Sequence, residues 1–181
     1  VGQLGHAWPL PVAAGPAIPV MNRRALAVLL QQGCVFAIAS PELSARETET
    51  LVRGDVPALV WAWGRVRLML LHHCPARVYL GLSHGHAACR MCDAHAPNAL
   101  AGQVLTDRRG KDFPLLRQRL PEGCRIELYN SLPTDLRTQT AGLAAPLYAF
   151  TLEGKAETAA LLAGQPAPET TTTGHWTRPV A

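Results

Sequence analysis

The chain has 181 residues, 48% of them hydrophobic and 17% charged, and a mean hydropathy of +0.06. That is enough apolar material to bury a core and excludes a wholly disordered chain. The formal charge is +4 and no apolar run reaches the roughly 18 to 20 residues needed to cross a bilayer as a helix, so nothing here reads as membrane-spanning. Only Lys111 and Lys155 are lysines, which leaves fifteen arginines among the 17 basic residues. Such a skew suits phosphate recognition through the guanidinium fork, but a base composition that favours Arg and Ala codons explains most of it.

Taken in chain order, Val1–Pro19 is rich in Gly, Pro and Ala and reads as irregular, with no leader-like apolar segment, entering a short strand near Ala17–Val20. Asn22 caps an apolar-periodic helix, Arg23–Gln32, with Leu26, Leu29 and Leu30 on one face and Gly33 at its left-handed end. Cys34–Ala39 is a short apolar run expected of a strand buried on both faces. Ser44-Ala-Arg-Glu47 has the capping-box form and opens a helix to about Arg53. Ala58–Trp63 and Arg67–Leu71 are further strands, and the alternation predicts βα units on a parallel sheet.

Beyond Cys74 the periodicity fades. Residues 74–103 hold Cys, His, Gly and Pro, a long loop of the kind that carries function. Short strands follow at Val104–Thr106, Asp112–Leu115, Arg125–Tyr129 and Leu147–Leu152, with a helix over Ala156–Ala163 ended by Gly164. Gln165–Thr173 is Pro- and Thr-rich and reads as a linker. The expected organisation is one domain over 1–164, with a Cys-rich region at about 72–125, and a terminal stretch over 165–181.

Five cysteines are too few and too unevenly spaced for a secreted disulfide scaffold. Cys89-Arg-Met-Cys92 is a C-x2-C knuckle; fourteen residues separate Cys74 from Cys89, and thirty-one separate Cys92 from Cys124. Four soft thiolates suit Zn²⁺ or an iron–sulfur cluster, and spacing alone does not choose. Cys34 lies in an apolar run and reads as a core residue. His72, His73, His84, His86 and His95 crowd the same region and are further candidate ligands.

The motifs, in order, are Asn22 in VMNRRAL, Ser40-Pro41-Glu42-Leu43, Gly64 with Leu68-Met69, His73-Cys74-Pro75 and Cys89-x-x-Cys92-Asp93. They continue as Asp107-Arg-Arg-Gly110-Lys-Asp-Phe113-Pro114, Gly123-Cys124-Arg125, Tyr129-Asn130-Ser131, Thr173-Gly174-His175-Trp176 and Arg178-Pro179-Val180. Together they resemble the collagenase-like peptidase family U-32, whose members include prephenate-dependent proteins that hydroxylate transfer or ribosomal RNA. The likeness runs from about residue 17 to the end.

The resemblance implies an α/β fold, the C-terminal part of a (β/α) TIM-like barrel with an inserted Cys-rich loop. A full barrel takes about 250 residues, so it also implies an N-terminal half, or another subunit, as partner. It makes Cys74, Cys89, Cys92 and Cys124 ligands of a [4Fe–4S] cluster, with Zn²⁺ as the alternative. tRNA or rRNA and prephenate are the implied partners, in the cytoplasm. Glu42 and Asn130, each just after a strand, are candidate catalytic residues, and Arg108, Arg109 and Arg125 candidate binders of phosphate or a dicarboxylate beside the cluster. GxGxxG, GxxxxGK[ST] and HExxH are absent. Peptide hydrolysis needs an activated nucleophile or a metal-bound water, so hydroxylation ranks above the family's peptidase activity, and a structural-metal binding module is the third reading.

Overall fold

The computed structural model describes residues 10–79, 81, 103–120 and 123–178. They form a mixed α/β structure in two compact units, Val1–Gly64 with Pro133–Ala181, and Arg65–Leu132. No described helix is long and apolar enough to cross a membrane.

The first unit is built from βα repeats. Strand β1 (Val12–Ala14) pairs parallel with β2 (Cys34–Ile38), and β2 pairs parallel with β3 (Ala58–Gly64). Helix α1 (Arg23–Gln31) links the first two strands and α2 (Ala45–Val52) the next two. Asn22 caps α1, its Oδ1 accepting from the Ala25 N–H at 2.9 Å, and Gly33 leaves it at φ 91°. At the head of α2 the Glu47 carboxylate accepts from the N–H and hydroxyl of Ser44 at 2.9 and 2.6 Å. The apolar stripe predicted for α1 does face the core: Leu26 is buried, and Leu29 and Leu30 pack against the buried cluster that includes Val20, Ala37, Leu51 and Val60. Cys34 is in this core, as its apolar surroundings suggest.

Two local expectations are corrected. The first strand is Val12–Ala14, and Val20 makes only an isolated bridge to Ala39. In β2, Val35 is 47% exposed, so the strand is not covered on both faces along its length.

Strand β3 is the centre of this sheet and is buried almost throughout. It also pairs parallel with β9 (Ala145–Ala149) and, at Trp63 and Gly64, antiparallel with β8 (Thr134–Asp135). Helix α4 (Lys155–Leu162) follows, with Leu161 buried. The Pro- and Thr-rich segment after it is tied to this unit: Thr172 bridges Thr134, and the Trp176 carbonyl accepts from the Ala45 N–H at 2.9 Å.

The second unit is not a continuation of the parallel sheet. Strands β4 (Arg67–Leu71), β5 (Val104–Thr106), β6 (Asp112–Leu120) and β7 (Gly123–Tyr129) form an antiparallel sheet in the order β4-β7-β6-β5. Helix α3 (Pro75–Tyr79) follows β4. A TIM-like barrel is therefore not what the described residues form. Strand β4 has the apolar composition of a barrel strand, yet its partner lies more than fifty residues later, at Ile126 and Leu128. Leu115, Ile126 and Leu128 are the buried core of this unit, with Leu71, Cys74, Ala76, Phe113 and Cys124 packed against them.

Candidate thiol-rich site

The register of the second sheet decides which predicted residues meet. Leu71 stands opposite Ile126 on the antiparallel pair β4 and β7. The chain beyond Leu71 therefore runs toward the residues before Ile126. Cys74, three residues on, and Cys124, two residues back, end at the same end of that pair. Both thiols are free and half-buried, and both pack on the same small core.

Cys89 and Cys92 lie outside the described residues, as do His84, His86 and His95. The flanks of their segment are informative. It follows the short helix that Cys74 opens, and at its far side the Gln103 carbonyl accepts from the Leu115 N–H at 3.1 Å. Val104 pairs with Pro114 antiparallel, so the chain entering β5 comes from the side of β6 that leads to Arg119 and Cys124.

Strand alternation places further residues on the cysteine face. Leu115 and Arg117 lie opposite Leu128 and Ile126, which alternate onto the same face as Cys124, and directly opposed residues share a face. Arg117 is thus the diagonal neighbour of Cys124, and its Nη1 lies 4.0 Å from the Cys124 Sγ, donating toward it. Arg77, three residues beyond Cys74, has a buried Nε with no acceptor among the described residues. Two free thiols and two guanidiniums with buried N–H groups are chemically suited to an anionic, acceptor-rich group held through sulfur. Among the described residues there is no complete cluster of metal-ligating side chains, two of the four cysteines being outside them.

The other predicted residues are elsewhere. Asn130 follows β7 at the opposite end from Cys124, six residues on, or roughly 20 Å at the usual strand rise. Its Oδ1 accepts from the Ser131 N–H at 2.9 Å and its carbonyl from Arg65 Nη1 at 3.0 Å, so its amide closes a turn. Arg108 and Arg109 sit on the β5–β6 turn, also roughly 20 Å along β6 from the cysteine end, so among the described residues they do not lie beside Cys74 and Cys124. That turn is well built: Asp107 Oδ1 accepts from the N–H groups of Arg109 and Lys111 at 2.8 and 2.9 Å, and Gly110 takes φ 72°. It presents Arg108, Arg109 and Lys111 to solvent.

Arg125 does lie next to Cys124, but strand alternation points it to the other face, where it donates to Gln118 Oε1. His72 and His73 are both exposed at the end of β4. Glu42 follows β2 in the first unit and is exposed, its N–H donating to Ser40 Oγ at 3.3 Å.

On the face of β7 away from the cysteines is a buried polar group. Glu127 is 4% exposed and accepts from the Tyr129 hydroxyl at 2.7 Å and from Arg67 Nη1 at 2.7 Å. Burial pushes its carboxyl up, but the hydrogen bonds from Tyr129 and Arg67 outweigh it and hold the group below the usual carboxylate range. Burial, then the Glu127 carboxylate, push the Tyr129 hydroxyl well above the ordinary phenol value.

The residue that sequence reading missed is Arg117. It was one arginine in a basic run, and its place beside Cys124 follows only from the pairing of β6 with β7. Comparison with known proteins adds nothing to this site, since no protein-family model, curated protein or solved structure matches the chain.

Proposed function

We propose that this chain is an iron–sulfur protein of the U-32 kind that supports oxygen-independent, prephenate-dependent hydroxylation of tRNA or rRNA bases in the cytoplasm. The observation that carries the reading is the convergence of Cys74 and Cys124 on one end of the β4–β7 pair, the two flanking in sequence the stretch that bears Cys89 and Cys92. Cys74, Cys89, Cys92 and Cys124 would hold the [4Fe–4S] cluster, which when bound supplies one-electron chemistry. Arg117 and Arg77 offer positive charge and N–H donors to its sulfurs. Arg108, Arg109 and Lys111 on the β5–β6 turn offer a preformed cationic tip for phosphates, away from the reacting end, where contacts to a long polyanion fix its register. The reading needs no catalytic role from Asn130, whose amide oxygen accepts from the Ser131 N–H, or from Glu42.

The peptidase alternative is disfavoured by the donor set: four thiolates on a mononuclear metal leave no position for an activated water. A second reading has an observation of its own. The unit Arg65–Leu132 buries only a small apolar core among its described residues, and small units are commonly stapled by a structural metal. Under that reading the cysteines hold Zn²⁺ and the chain is a binding module.

Nucleoside analysis of tRNA and rRNA separates these readings. Cells lacking the gene should lose a nucleoside carrying one added oxygen atom, wild type should restore it, and the variant Cys124→Ser should not. RNA of unchanged nucleoside content after deletion, from cells that make prephenate, would contradict the hydroxylation reading.

A further inference from the structure

Resting on the iron–sulfur reading, we infer that Arg117 sets the reduction potential of the centre by donating through its guanidinium to the sulfur of Cys124. Arg117 does not ligate the metal; it is a positioning residue that acts through the thiolate.

The geometry has three parts. Arg117 lies opposite Ile126 on paired strands, so it shares a face with Cys124 two residues away. The Nη1–Sγ separation is 4.0 Å, within reach of an N–H···S contact. The same face carries Leu115, Ile126 and Leu128, all buried, so the guanidinium approaches sulfur at the margin of an apolar core rather than in bulk water. A charge in such surroundings interacts strongly with its neighbours.

The acceptor matters. A neutral thiol is a weak acceptor. A metal-bound thiolate is anionic, and hydrogen bonds between ionised partners are roughly twice as strong as neutral ones. One-electron reduction makes an iron–sulfur centre one unit more negative. A fixed positive donor therefore stabilises the reduced state more than the oxidised one, and raises the potential. Arg125, on the neighbouring residue, is the internal comparison: it carries the same charge but faces away, engaged with Gln118.

The test is a potentiometric titration of the anaerobically purified full chain, followed by electron paramagnetic resonance, in wild type, Arg117→Gln, Arg117→Lys and Arg125→Gln. Arg117→Gln is expected to favour the oxidised state by about tenfold, a fall of about 59 mV for one electron. Arg117→Lys, which draws the charge back on a shorter stem, should fall between the two. Arg125→Gln should stay near wild type. An unshifted Gln variant overturns the inference, and so does a Lys variant at or above the wild-type midpoint should the Gln variant not retain its cluster. Equal falls in the Arg117→Gln and Arg125→Gln variants would also overturn it, since any lost charge would then suffice. A wild type without iron and sulfide overturns the cluster reading beneath it, whereas a loaded series with one common midpoint overturns this inference alone.

Discussion

Leu71 lies directly across from Ile126, and that one pairing carries Cys74 and Cys124 to a common end of the antiparallel sheet. The site is therefore a consequence of strand register, and a slip by one residue would turn Cys124 to the opposite face.

Ile126 is fully buried, so Ile126→Ala should cost about 3 kcal/mol and loosen the pairing that aligns the two thiols. Iron bound per chain should fall with it. Leu51→Ala, in the core of the other unit, should cost about as much in stability while leaving iron per chain near wild type. Denaturant titration and metal analysis on the same samples check both.

The Glu127 and Tyr129 pair predicts a pH window. The folded carboxyl lies below its unfolded value of about 4.3, so its contribution is present above that pH and is lost as pH falls through the folded value. Tyr129 is raised, so its contribution is present below about pH 10 and is lost as pH rises toward the folded value. Glu127→Gln should lose about 2 kcal/mol near neutrality and flatten the stability profile on both sides. Urea midpoints measured across pH would contradict this if the two proteins ran parallel below pH of about 4.

In the first unit, Arg137 binds Asp135 through Nε–Oδ1 and Nη2–Oδ2 contacts of 2.9 and 2.8 Å, and its Nη1 donates to the carbonyls of Leu161 and Gln165 at 3.0 and 2.9 Å. Its guanidinium also lies 5.2 Å from the Trp63 ring centroid. A lysine offers neither the fork nor the planar stack. Arg137→Lys should cost about 2 kcal/mol and Arg137→Ala about 3, with early fraying of α4 visible in amide exchange.

Gly64 adopts φ +137°, and a Cβ there would collide with the Ala149 carbonyl oxygen on β9. That obstacle is backbone in a paired strand and has no room to retreat. Gly64→Ala should cost roughly 3 kcal/mol and lower the thermal midpoint by several degrees.

Much of the first unit was legible because its signals are local. Asn22 and the Ser44–Glu47 box mark helix starts through contacts within one turn, and Gly33 at φ 91° and Gly164 at φ 78° mark ends. The first strand was displaced because a Pro- and Gly-rich entry carries no periodicity to fix it. Arg67–Leu71 reads as a strand of the parallel βα pattern because nothing in it distinguishes a parallel strand from an antiparallel one whose partner is distant in sequence. The C-x2-C knuckle and its companions were visible as spacing. The convergence of Cys74 and Cys124, the displacement of Asn130 and Arg108 to the other end, and the placement of Arg117 all depend on long-range register.

The central claim is tested most directly by iron and acid-labile sulfide analysis of the anaerobically purified chain, beside its Cys89→Ser and Cys92→Ser variants. Iron and sulfide in equal amounts, lost in both variants with the fold largely kept, is the predicted result. Zinc with neither iron nor sulfide, and variants that unfold, would contradict it.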